Sequence, residues 1–233
     1  MKAAGTIRDI YRNSCIFSRD TAAYHGTSLQ ALKYMAETGV MGSSFEKEGE
    51  VLSNSVRKGD FFVIPVKGRC YLDDPKGTHI VAGAAEEVTE AFGKAMTYAE
   101  TASEDHFLRE TFGVPMDRPC TDETLPGSGL TYDWAIEFTF TLDTMLGIEG
   151  QHSHTLPFYT YLLDRGYSED DINDLFFEAR TRKGVVLSFR NDIFAEGEPL
   201  PAGEGVRVIN VTPEKIAGIK PLDRYTEEFL ESL

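Results

Sequence analysis

The sequence predicts an α+β fold, and three observations carry that reading. Apolar residues alternate with a period of two over several short stretches, above all YDWAIEFTFTLD at 132–143, as half-buried strands require. Fewer, longer stretches place apolar residues every three or four positions, the mark of amphipathic helices. Strands and helices do not alternate strictly, so few crossover units are encoded and a doubly wound parallel sheet is disfavoured.

The elements follow in order. The first 20 residues suggest one short helix and a strand around Ile16 and Phe17. In AAYHGTSLQALKYMAETGVMGS (22–43), Ala22 to His25 read as a strand end and Ser28 as the N-cap of a helix. Leu29, Leu32, Met35 and Ala36 form its apolar stripe, and Gly39 stops it. Residues 42–58 are polar and punctuated by glycine, hence a loop. DFFVIPVKGRCYL (60–72) reads as one or two buried strands broken by Pro65 and Gly68. THIVAGA is a short strand, followed from Glu86 to about Ser103 by a helix with Val88, Phe92, Met96 and Ala99 near one face.

Prolines at 115, 119 and 126 make residues 113–130 a loop. The strand at 132–143 puts Tyr132, Trp134, Ile136, Phe138, Phe140 and Leu142 on one face. Helices are expected at 156–165 and 169–182, the second opened by Ser168 and Asp171 in the spacing of a capping box. GVVLSF (184–189) and GVRVINV (205–211) read as strands, and DRYTEEFLES as a closing helix. The 233 residues fit a single domain, 1–233, with a helical insertion at about 144–182. That insertion, with Ile172, Leu175 and Phe176 on one face, reads as packing on the core.

Composition narrows the function. The longest apolar runs, such as Phe61 to Val66, fall far short of a bilayer span, so no membrane partner is expected. Arg8, Asp9 and Arg12 interrupt the apolar core that a secretory leader needs, and three widely spaced cysteines form no CxxC pair. Both features point to a cytoplasmic protein. The net charge of −15 repels a phosphate backbone, so no long nucleic acid is expected, and Arg57, Lys58, Lys67, Arg69 and Lys76 read as scattered surface charges. Neither a GxGxxG nor a P-loop occurs, and no GxSxG elbow supports a Ser-His-Asp hydrolase. His152 and His154 lack a third ligand nearby, so no metal is expected, and Asp73 and Asp74 read as turn formers.

The order of elements resembles the ADP-ribosyltransferase superfamily, in its His-Tyr-Glu branch with diphtheria toxin and the poly(ADP-ribose) polymerases. YHGTS leading into LQALKYMAETGV is similar to the opening of that family, THIVAGAAEEVTEAFGKAMTYAE to its strand-then-helix segment, DWAIEFTFTLD to its long central strand, and EGVRVINVTPEKIAGI to its closing segment. The resemblance spans roughly residues 22–219. It implies split antiparallel sheets with flanking helices, NAD as substrate, and transfer of ADP-ribose to an acceptor, in the first place a protein, though a nucleic acid or small molecule fits the same chemistry.

Carried over residue by residue, the resemblance assigns His25 to the ribose and to catalysis. Gly26 and Thr27 take backbone and hydroxyl contacts, and Glu204 is the catalytic glutamate. Leaving of nicotinamide passes through an oxocarbenium-like centre that a carboxylate stabilises, and the cationic leaving group needs no general acid. Tyr98 is the first choice for the ring that stacks on nicotinamide, with Phe92 and Tyr71 as alternatives. Glu198 is the rival glutamate: in the arginine-modifying branch two glutamates stand one residue apart, as in EGE at 196–198. Glu204 has Ala202 in the corresponding place, which implies no preference for arginine. His25 stands where the arginine-modifying branch has an arginine, which favours Glu204. Two other readings remain open: an RNA 2'-phosphotransferase, which needs basic residues that this acidic chain does not concentrate, and a binding protein of the same fold without turnover. A histidine at a strand end is also a common structural residue.

Overall fold

The computed structural model describes residues 2–39, 41, 46–47, 50–51, 60–66, 87–114, 122–128, 155–196, 198–199, 206–209 and 211–233. The strands expected at 78–84 and 132–143 lie outside these residues. Within them the chain combines helices with a six-stranded antiparallel sheet and a separate two-stranded one, as an α+β fold allows.

Helix α1 (Lys2–Asn13) opens the chain. The strand expected at Ile16 and Phe17 is instead a turn, because the Ile16 carbonyl is taken by side chains rather than by a ladder. It accepts the Tyr24 hydroxyl at 3.0 Å and the Thr21 hydroxyl at 3.2 Å. Strand β1 (Ala23–Thr27) then hands over to α2 (Leu29–Thr38), whose first turn is capped by Ser28 Oγ accepting the Ala31 N–H at 3.1 Å. Gly39, at φ 74°, ends α2 in the left-handed region where a side chain would be strained. The expected loop at 42–58 contains a two-rung ladder, β2 (Glu46–Lys47) against β3 (Glu50–Val51).

Strand β4 (Asp60–Pro65) precedes α3 (Val88–Phe112), a 25-residue helix nine residues longer at its C-terminal end than the sequence pattern suggests. Nothing between Glu104 and Phe112 breaks a helix, and Gly113, at φ 67°, supplies the stop. Helices α4 (Thr155–Asp164) and α5 (Glu169–Arg180) follow, the latter opened by the expected Ser168–Asp171 capping box. Strands β5 (Val185–Phe189), β6 (Glu198–Pro199), β7 (Val206–Ile209) and β8 (Ile216–Pro221) and helix α6 (Arg224–Ser232) complete the chain.

The sheet order is β6-β7-β4-β1-β5-β8, with every neighbouring pair antiparallel. Side chains alternate along β1, so its two faces meet different partners. Tyr24 and Gly26 face α3, where Tyr24, Ile64 and Val186 pack with Ala91, Ala95 and Ala99. The alanines repeat every four residues along α3 and let the helix lie close to the sheet: a Cβ on Gly26 would collide with the Ala95 carbonyl oxygen and lie 2.7 Å from the Ala99 nitrogen. On the other face, Ala23, Val63, Val185, Leu187 and Phe189 join Ile7 of α1 and Leu32, Met35 and Ala36 of α2 in the largest apolar cluster.

A separate cluster joins the C-terminal half of α3 to α4 and α5: Leu108 and Val114 pack with Tyr161, Leu162, Ile172, Phe176 and Ala179. Ile172 and Phe176 therefore pack inward as the sequence suggests. No helix among the described residues is long and apolar enough to cross a membrane.

Candidate functional site at the parting of two strands

The sheet changes character at His25. The ladder between β1 and β4 has two rungs, Ala23↔Pro65 and Tyr24↔Ile64, extended by a bond from the Val66 N–H to the Ala22 carbonyl at 2.8 Å. From His25 onward, β1 pairs only with β5 among the described residues, through His25↔Leu187, Gly26↔Val186 and Thr27↔Val185. β4 meanwhile turns its other edge to β7 over Asp60↔Ile209 to Val63↔Val206. The His-Gly-Thr segment thus lies where β1 and β4 have parted, with a backbone edge outside the ladder that joins them.

His25 is half-buried and alternates with Gly26, so it points away from α3. Gly26 and Thr27 are buried. Gly26 has a structural reason to be glycine, since its α carbon presses on the α3 backbone. Among the aromatic candidates, Phe92 is engaged in packing, with ring centroids 4.9 Å from Phe17 and 5.7 Å from Tyr24. Tyr98 is 41% exposed, on the same helical turn as Ala95 and Ala99 that back Gly26. Tyr71 and Glu204 lie outside the described residues, as do His152, His154, Asp73 and Asp74.

Register relates Glu198 to the rows of β1. Glu198 stands opposite Arg207, which stands opposite Phe62. Phe62 shares the alternation of Ile64, the partner of Tyr24, so Glu198 belongs to the same set of rows as Tyr24 and Gly26. Val206 stands opposite Val63, in the other set of rows, which is that of Ala23 and His25.

Directly after this segment lies a buried polar group that the sequence reading did not single out. Ser28 Oγ is hydrogen-bonded to His106 Nδ1, and both residues are buried. His106 Nε2 is 3.8 Å from Asp105 Oδ2, which accepts the Arg109 Nε–H at 3.0 Å. Burial, aided by the Arg109 charge and opposed by Asp105, lowers the His106 pKa to about 4, so the ring is neutral at pH 7. A neutral ring with its proton on Nε2, toward the Asp105 carboxylate, accepts the Ser28 hydroxyl at Nδ1.

Serine, histidine and aspartate are the members of a hydrolase triad, yet Ser28 has no exposed surface and its oxygen caps α2. A nucleophile must reach its substrate, so the set is structural. Its sequence signal was present: Ser103 and His106 extend the Ala91–Ala95–Ala99 stripe at helical spacing, visible once α3 runs past Ser103.

No three His, Cys, Asp or Glu side chains among the described residues are placed to hold a metal ion. Comparison with family models, with curated proteins and with solved structures finds no match for the chain. What the fold defines is therefore a class by geometry: an antiparallel α+β protein whose sheet parts at a His-Gly-Thr edge.

Proposed function

We propose that the chain transfers ADP-ribose from NAD to an acceptor, with His25 and Glu204 at the reacting ribose. The observation that carries this reading is the parting of β1 from β4 at His25, which leaves the edge of a His-Gly-Thr segment outside that ladder. His25 would hydrogen-bond a ribose hydroxyl, and the backbone of Gly26 would pair with the nicotinamide carboxamide. Tyr98, exposed on the helix that backs Gly26, is the ring for the nicotinamide. Because α3 and His25 lie on opposite faces of β1, a dinucleotide that meets both passes the edge where β4 has parted.

Glu204 precedes Val206 by two residues, and in an extended chain every second residue returns to one face. The reading assigns the Glu204 carboxylate to the reacting ribose, beside His25. Glu198, in the other set of rows, is the weaker choice, and with it goes the expectation of an arginine acceptor. The carboxylate stabilises positive charge on the ribose as nicotinamide leaves, and the acceptor then attacks the same carbon.

Release of nicotinamide from NAD by the purified chain, alone and with a cell lysate as the source of acceptor, tests the proposal. Wild type and Glu198→Gln should release it, and Glu204→Gln should lose at least about a hundredfold, the loss typical of removing an electrostatic stabiliser. His25→Ala should raise the NAD concentration needed. Full activity in Glu204→Gln refutes the catalytic assignment, and no release by wild type under either condition refutes NAD transfer.

A further inference from the structure

We infer that His106 is a positioning residue: through Ser28 it fixes the β1–α2 junction, and with it the backbone of His25, Gly26 and Thr27. Its consequence for NAD binding rests on the function proposed above; its consequence for the junction does not.

Three contacts place this segment on α3 and its surroundings. Gly26 presses on the Ala95 and Ala99 backbone. The Thr27 carbonyl and Ser103 Oγ both abut Gly184, where a Cβ would collide with each. Ser28 then bonds His106, which lies on the same face of α3 and next to the buried Asp105–Arg109 pair. Of these, the Ser28–His106 bond is the directional one. Packing of small residues sets distance alone, whereas a hydrogen bond also fixes orientation.

Ser28 uses its hydroxyl in two directions. The oxygen accepts the Ala31 N–H and so starts α2, while the proton goes to His106. One side chain thereby links the end of β1, the start of α2 and the C-terminal half of α3. Residues of buried polar groups with a complete set of partners specify one arrangement, and loss of a partner leaves the other unsatisfied. His25 and Thr27 alternate to the far face, so the clamp holds the segment from the side of α3.

Amide hydrogen exchange on the ligand-free full chain tests the clamp in wild type, Ser28→Ala, His106→Leu and the double variant. Each single change should raise exchange over residues 24–31 by about tenfold or more, with β8 still protected. The double variant should be no faster than the worse single, since both halves of one pair are gone. His106→Gln, which keeps an acceptor, should retain most of the protection and serves as the second variant should His106→Leu fail to fold. Unchanged exchange over 24–31, a uniform rise that includes β8, or effects that simply multiply would each overturn the inference. NAD titration of the same proteins separates the two levels. Weaker NAD binding by His106→Leu with β8 intact supports the positioning of a ligand site. Absence of NAD binding in wild type refutes the proposed function and leaves the clamp to be judged by exchange.

Discussion

The buried His106 makes a measurable contribution to the pH dependence of stability. Its folded pKa of about 4 lies below the ordinary imidazole value of 6.5, so the native state prefers the neutral ring. Above 6.5 the ring is neutral in both states and contributes no difference. As pH falls from 6.5 toward 4 the unfolded chain takes up a proton that the native chain refuses, and stability is lost through that window. The slope approaches about 1.4 kcal/mol per pH unit, and the loss between pH 7 and about 4.5 amounts to roughly 2 kcal/mol.

Urea unfolding followed by circular dichroism, for wild type and His106→Gln across that range, isolates the effect. Exposed carboxylates titrate in both proteins and cancel in the difference. The wild type should lose about 2 kcal/mol relative to the variant as pH falls, whatever the offset between them at pH 7. A difference that stays flat with pH would refute the reasoning, because the ring would then be protonating in place or lying in contact with water.

Other substitutions test the packing around the candidate site. Gly26→Ala should destabilise the fold by about 2 kcal/mol or more, since the collision is with helix backbone; the thermal midpoint should fall by at least about 5 °C, read by calorimetry. Phe92→Ala should cost about 2 kcal/mol by removing the ring between Phe17 and Tyr24, with any NAD affinity unchanged; a selective loss of NAD affinity would make Phe92 a ligand contact. Tyr98→Ala, at an exposed position, should leave urea stability within about 0.5 kcal/mol and weaken NAD binding, and unaltered binding would remove Tyr98 from the proposal.

Much of the local structure was legible because single residues dictate it. Ser28, Gly39 and the Ser168–Asp171 pair set helix ends through side-chain bonds or a left-handed backbone, and each does so where the sequence places it. The short apolar run in GVVLSF and the stripe in LQALKYMAET likewise produced β5 and α2. The turn at Ile16–Phe17 was not legible, because its reason is tertiary: Tyr24 and Thr21 capture one carbonyl from outside the segment. The short β2–β3 ladder escaped because two-residue strands carry no period.

At the candidate site, the His-Gly-Thr-Ser junction was legible as a motif, whereas its surroundings depended on pairing that no local pattern encodes. The two-rung limit of the β1–β4 ladder and the opposite row of Glu198 are properties of register across four strands. Gly26 also gained a second meaning: glycine was expected there for approach of a ligand, and it is required there by approach of α3. The Ser28–His106 bond joins residues 78 apart, beyond the reach of any window.

The most direct test is an NMR titration of the amide-labelled chain with NAD. The expected result is saturable shifts of the Gly26 and Thr27 amides together with the His25 ring, at the edge where β1 leaves β4, and smaller changes along β8. Saturable shifts centred elsewhere, or none at millimolar NAD, would contradict a dinucleotide site at that edge.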